Sequence, residues 1–207
     1  MHPNPAFRPD NREESLGFAR EAGFGMLAVS VPGEAPMLSH VPFLLGEDGA
    51  AAELHLVRSN PIARAVREAA PAKIAVQGPE GYISPDWYGI EGQVPTWNYV
   101  AVHLTGRLVA LPDTEMAPML ERLSEHFEAR LLPKPVWTMD KLEPEAAGKL
   151  MRMIRPFRFE IERVDATWKL AQNKPEAARL AAAEHLEAQG MGGDRALLAA
   201  LMRKPPE

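Results

Sequence analysis

Phe157-Arg158-Phe159-Glu160-Ile161-Glu162 alternates apolar with charged side chains at a period of two. In a strand this puts the apolar groups on one face and the charged groups on the other, one in a core and one in water. The pattern leads on into Trp168-Lys169-Leu170. The same period sets Val100, Val102 and Leu104 against Ala101, His103 and Thr105, a strand running from Asn98 towards Leu111 that Pro112 ends. Nearer the start, Met26 to Val31 and Met37 to Leu45 flank Pro32-Gly33-Glu34-Ala35-Pro36 as a hairpin. Leu54 to Val57 and Lys73 to Gln77 supply further strands, about six in all.

Helices fall between them. Asn11, three residues before Glu14, opens a short helix that Gly23 or Gly25 ends. Asn60-Pro61 caps and presets another over Ile62 to Ala69. Asp113 or Thr114 caps one from about Glu115 to Arg130, and one more lies near Glu145 to Ile154. After Pro175 a helix carries the polar stripe Glu176, Arg179, Glu184 and Glu187, with Leu180, Ala181 and Leu186 elsewhere on its wheel. Gly190 to Gly193 separate it from a last helix, Arg195 to Met202. Residues 78–95, with four Gly and three Pro, read as a long irregular loop. Hairpin-like early connections and helices between later strands argue for an α+β protein built round an antiparallel sheet or barrel. There is no glycine-rich dinucleotide fingerprint.

The chain has 207 residues, enough for one large domain or one with a small appendage. It has no cysteine, which excludes disulfides, thiolate metal sites and a thiol nucleophile. With 23 basic against 28 acidic residues the net charge is −5, and a chain that holds nucleic acid through phosphate contacts is usually basic, so DNA binding by this chain alone is disfavoured. Met1-His2-Pro3-Asn4-Pro5 lacks the marks of a signal peptide and no apolar run spans a bilayer. The expectation is a soluble cytoplasmic protein.

Three regions bear chemistry. Arg58-Ser59-Asn60 puts a fork-shaped cation at a strand end ahead of a capped helix, an arrangement suited to phosphate, although an ordinary capped helix with an exposed arginine has the same sequence. Tyr82, Trp87, Tyr88, Trp97 and Tyr99, beside Ser84, Asp86, Gln93 and Asn98, suit a planar heterocycle, a barrel plug or a subunit contact equally. Trp168-Lys169-Leu170-Ala171-Gln172-Asn173-Lys174-Pro175 is dense in donors, for an anion, a partner subunit or solvent. His40, His55 and His103 fall on strands, but no local ligand spacing supports a metal.

Ser39-His40-Val41-Pro42-Phe43, Arg58-Ser59-Asn60-Pro61, Tyr82-Ile83-Ser84-Pro85-Asp86-Trp87-Tyr88, Val94-Pro95-Thr96-Trp97-Asn98-Tyr99 and Lys169-Leu170-Ala171-Gln172-Asn173-Lys174, in this order, resemble the FMN-binding negative transcriptional regulators of the Pai type. Ala171 stands where that family is expected to carry serine. The resemblance implies a split β-barrel like that of pyridoxamine-phosphate oxidases over residues 1–174, with residues 175–207 as a helical appendage packed on it. It also implies a homodimer with FMN between subunits. Cofactor contacts are then expected from Ser39, His40, Arg58, Ser59, Asn60, Trp97, Asn98, Tyr99, Lys169, Gln172 and Lys174. The segment ending at Arg58-Ser59-Asn60 would face the phosphate, the strand of Trp97, Asn98 and Tyr99 the flavin, and the Lys169–Lys174 segment would close the site. The implied role is transcriptional regulation, through DNA directly or a regulatory protein partner, although residues 175–202 show no recognition helix with a basic face. The other reading is an FMN-dependent oxidoreductase with His40 and His103 as proton donors.

Overall fold

The computed structural model describes residues 1–9 and 11–206. Seven strands, β1 (Phe24–Val29), β2 (Met37–Pro42), β3 (Leu44–Leu45), β4 (Ala51–Val57), β5 (Ala69–Ile83), β6 (Thr96–Ala110) and β7 (Ile154–Lys169), form one sheet in the order β2-β1-β5-β6-β7-β4-β3. β1 pairs antiparallel with β2 and β5, and β4 with β3 and β7. The helices are α1 (Arg12–Ala22), α2 (Pro61–Ala65), α3 (Met116–Ala129), α4 (Pro144–Met151), α5 (Glu176–Gln189) and α6 (Arg195–Arg203). The α+β class and antiparallel sheet expected from the alternation are what the chain adopts.

The chain divides into two compact units, and β5, β6 and β7 each contribute residues to both. The first unit comprises Met1–Phe18, Val76–His103 and Val164–Glu207. Its core joins Ile83, Val100, Trp168 and Leu170 to Ala178, Ala182 and Leu186 of α5 and Leu198 of α6. The buried face of α5 is thus its alanine side together with Leu186, while Leu180 is exposed. Small side chains let this helix approach the other elements closely. The second unit comprises Ala19–Ala75 and Leu104–Arg163. Here Phe43, Leu54, Phe157 and Phe159 are fully buried, and Met116, Met119 and Leu123 of α3 form a satellite cluster with Leu44, Leu111 and Ile154. The register Ala52↔Phe159 and Leu54↔Phe157 sets apolar faces side by side, as the alternation requires.

The structure corrects several boundaries. Residues 78–83 are strand, because Gly78 and Gly81 serve close approach and not a turn: a Cβ on Gly78 would lie 2.6 Å from Phe18 and 2.9 Å from Val100, and one on Gly81 2.7 Å from Leu186. The helix after Asn60 ends at Ala65, and Ala69 already belongs to β5. β7 runs unbroken from Ile154, so α4 stops at Met151. Neither Asp113 nor Thr114 caps α3; a single 3-10 turn over Asp113–Glu115 precedes it, without a side-chain cap bond. Asn60 and Asn11 do cap, accepting from Ile62 N at 2.9 Å and Glu13 N at 3.0 Å. Gly23, at φ 56°, ends α1 as expected.

Candidate functional site

In the first unit a cavity of ≈ 260 Å³ lies where β7 ends. Ala171, at φ 62°, turns the chain out of the strand, and the Lys174 amide closes the turn on the Ala171 carbonyl at 2.9 Å. Gln172 clasps the same turn. Its Oε1 accepts from Leu170 N at 2.8 Å and its Nε2 donates to the Trp168 carbonyl at 2.6 Å, so the predicted ligand residue holds backbone with both ends of its amide.

This turn delivers Lys169 and Lys174 to the same cavity. Lys169 Nζ donates to Thr96 Oγ1 and stands 5.9 Å from the centre of the Phe7 ring. Lys174 Nζ donates to Gln93 Oε1 and stands 5.5 Å from the centre of Tyr88. Among the described residues no carboxylate lines the cavity and none pairs with either ammonium. Burial first, and then the charge of Lys174, hold Lys169 below the usual lysine range. Burial likewise raises the Tyr88 phenol. Asn98, also on the wall, is 1% exposed; its Nδ2 faces Met202 Sδ at 3.5 Å and its Oδ1 is buried without a partner. Such an arrangement suits an anionic ligand that also carries a hydrogen-bond donor.

Trp97, between the cavity-lining Thr96 and Asn98 on the strand, is 46% exposed and meets Tyr82 edge-on at 6.0 Å. Tyr99 is half-buried. The structure therefore brings Asn98, Lys169 and Lys174 to one cavity, with Trp97 and Tyr99 flanking Asn98 on β6.

The other predicted residues belong to the second unit. Asn60 Nδ2 donates to Ser39 Oγ at 3.1 Å, so these two are together. Arg58 donates from Nε to the Arg152 carbonyl at 2.9 Å and from Nη2 to Asp113 at 2.6 Å. Ser59 is exposed. His40 is exposed and stacks on Phe24 at 6.3 Å, while His55 on β4 is largely buried with Nδ1 unpartnered, and burial lowers its pKa.

Sequence reading missed the N-terminal segment. His2 and Phe7 wall the lysine cavity, held by His2 N donating to Thr167 Oγ1 at 3.0 Å and by the burial of Phe7. Asn4 accepts from Ala6 N at 3.0 Å in an Asn-Pro cap of the same kind as Asn60-Pro61, which was the available signal of an ordered segment.

The family model described as "Putative FMN-binding domain" matches residues 1–163. The protein named protease synthase and sporulation protein PAI 2, from Bacillus subtilis, is 32% identical over 183 residues, covering 87% of this chain and 86% of that one. A protein from Mycobacterium smegmatis described as binding FAD and heme superposes with TM-score 0.58 at 18% identity, covering 90% of this chain and 82% of that one. The flavocytochrome Anf3 from Azotobacter vinelandii gives TM-score 0.56 at 12% identity, covering 81% and 72%. At such identities the two structures speak for the fold, and they agree with the split-barrel expectation.

Proposed function

We propose that this chain, which belongs to the FMN-binding domain family, is a cytoplasmic flavin-binding regulator. It works as a homodimer and restrains transcription, on DNA or through a protein partner. No helix among the described residues is long and apolar enough to cross a membrane. The regulatory role rests on the likeness to the Bacillus protein, whose name ties it to protease synthesis and sporulation.

One observation carries the flavin reading: the orientation of Arg58. Its Nε and Nη2 are anchored to the Arg152 carbonyl and Asp113, which sets the plane of the guanidinium, and the next residue, Ser59, is exposed. A planar fork and a hydroxyl at a strand end match the donor set that an FMN phosphate requires, so the residues fit the cofactor. Asn60 and Ser39 brace the turn behind them. In the first unit, taken by itself, the exposed Trp97 ring with Tyr99 on the same strand is an aromatic surface suited to a planar ring. When bound, FMN supplies a planar redox-active ring; the chain's part is to bind it, orient it and limit its contact with water.

The test is to add FMN to the purified protein, remove the excess by gel filtration and record the visible spectrum. A perturbed flavin band at about one per subunit supports the reading, and a protein that emerges colourless overturns it. Titration of promoter DNA at several salt concentrations, with oxidised and with reduced flavin, then tests the regulatory part.

A further inference from the structure

The second unit carries a pocket of ≈ 410 Å³ that the flavin reading leaves unused. Glu121, Ser124 and Glu125 stand at i, i+3 and i+4 on α3 and share one face, opposite on the wheel to the Met116, Met119 and Leu123 that bury the helix. Residues 136–140 supply the rest of the lining, with Val136, Trp137 and Met139 half-buried and Asp140 exposed. Glu128, further along α3, ties that segment down: its Oε2 accepts from Trp137 N at 2.9 Å and from Lys134 Nζ. Both walls are thus fixed to one helix.

The polar lining is of one kind. Three carboxylates, Glu121, Glu125 and Asp140, and two hydroxyls accompany the three apolar side chains, and no cationic side chain among the described residues lines the pocket. The cations nearby are committed elsewhere. Arg122 gives Nε and Nη2 to Glu53 at 2.9 and 2.8 Å, Lys134 pairs with Glu128, and Lys141 Nζ donates to the Val136 carbonyl at 3.4 Å. Among the described residues none of the three carboxylates joins an ion pair. Glu121 and Glu125, four residues apart, moreover repel each other along the helix. An entering cation relieves that repulsion.

Charge, and not size, separates this pocket from the flavin. A phosphate dianion beside three carboxylates is repelled, and none of the positions expected to contact the cofactor lines the pocket. A bare metal ion fits no better: among the described residues no three carboxylate or imidazole groups gather closely enough to hold one, and an ion would leave the Trp137 and Met139 surface without a partner. An ammonium carried on an apolar body answers both demands. Its N–H groups donate to carboxylate and hydroxyl oxygens, and an indole is the aromatic group that best attracts a cation.

We infer that this pocket binds a protonated organic amine, its ammonium taken by Glu121, Glu125 and Asp140 and its apolar body lying against Trp137 and Met139. The inference goes beyond flavin binding and does not rest on it. It gives the protein a second ligand, opposite in charge to the first.

The experiment is calorimetric titration of the full chain, in the oligomeric state it has after gel filtration and with whatever flavin it retains, at about neutral pH and low salt. The probes are phenylpropylamine, a cation at that pH, and phenylpropanol, its neutral counterpart of the same length. One saturable amine site per chain is expected, with the alcohol about tenfold weaker and the amine weakening as salt is raised. Glu125→Gln and Asp140→Asn keep shape and remove charge; each should weaken the amine about threefold, and the two together about tenfold, because these carboxylates are exposed. Trp137→Leu should weaken amine and alcohol alike. Circular dichroism and FMN content should not change in the Asp140→Asn variant, whose side chain has no packing role. Absence of saturable amine binding overturns the inference, and so does a second copy of the chain covering the pocket, which gives that same result. Equal affinity for amine and alcohol, or binding indifferent to the double variant, also overturns it. Release of FMN by the amine would place the pocket at the flavin and overturn it as well.

Discussion

The Arg58 guanidinium is held from two sides, by Asp113 Oδ1 at 2.6 Å from Nη2 and by the Arg152 carbonyl at 2.9 Å from Nε. Both partners of the ion pair are well exposed, so the pair itself contributes at most about 1 kcal/mol to stability. Its consequence is orientation. Arg58→Ala should therefore weaken FMN about tenfold or more while the melting temperature barely moves. Arg58→Lys should rescue little, because a single ammonium cannot keep both anchors and still present a planar fork. Flavin fluorescence titration of both variants is the check, and unchanged affinity in both would place the phosphate elsewhere.

Asn60 holds two roles in one amide, capping α2 through Oδ1 to Ile62 N and bracing Ser39 through Nδ2. Asn60→Ala removes both and should cost about 1–2 kcal/mol in chemical denaturation. Asn60→Asp keeps the cap acceptor and loses only the donor to Ser39, so it should cost less. Equal losses in the two variants would show that the brace, and not the cap, supports this turn.

Gly106 on β6 faces the backbone of β7 so closely that a Cβ would lie 1.8 Å from the Glu160 carbonyl oxygen. Backbone cannot rotate away as a side chain can. Gly106→Ala should thus destabilise by about 3 kcal/mol or more, above the usual cost of overpacking. Gly81→Ala meets the ends of Leu186 and Leu198 at 2.7 and 3.1 Å and backbone, the Met191 carbonyl oxygen, no nearer than 3.4 Å, so it should cost clearly less. Urea melts of the two variants test the order, and a reversed order would mean that β6 and β7 can part locally.

The glycines also show what the sequence hides. Alternation in Phe157 to Glu162 and Val100 to Thr105 reveals β7 and β6 because each side chain reports the face it occupies. Gly78 and Gly81 have no side chain to report with, so a strand interior looked like a loop, and only the neighbours Phe18, Val100 and Leu186 explain them. The asparagine caps were legible because their partners lie two residues away. The lysine cavity was legible in part: the donor density of Lys169 to Lys174 was plain, yet its wall of His2 and Phe7 comes from the opposite end of the chain, about 165 residues from Thr167 where His2 is anchored. Gln172 marks the limit of reading by residue type, since an amide that looked available to a ligand clasps its own turn.

His55 gives a pH dependence whose sign is fixed. Its imidazole is largely buried on β4, Nδ1 has no partner, and desolvation holds its folded-state pKa below 6.5. Between that lowered value and 6.5 the unfolded chain binds a proton that the folded protein refuses. Stability therefore rises with pH across this window and falls as pH drops through it, opposite to a histidine stabilised by a carboxylate. His55→Leu removes the titrating group and should flatten the slope of unfolding free energy in that range, leaving the acid loss of carboxylate interactions at lower pH in place. Denaturation midpoints of the two proteins at several pH values around and below 6.5 decide it. An equal slope in the variant would assign the dependence to another group.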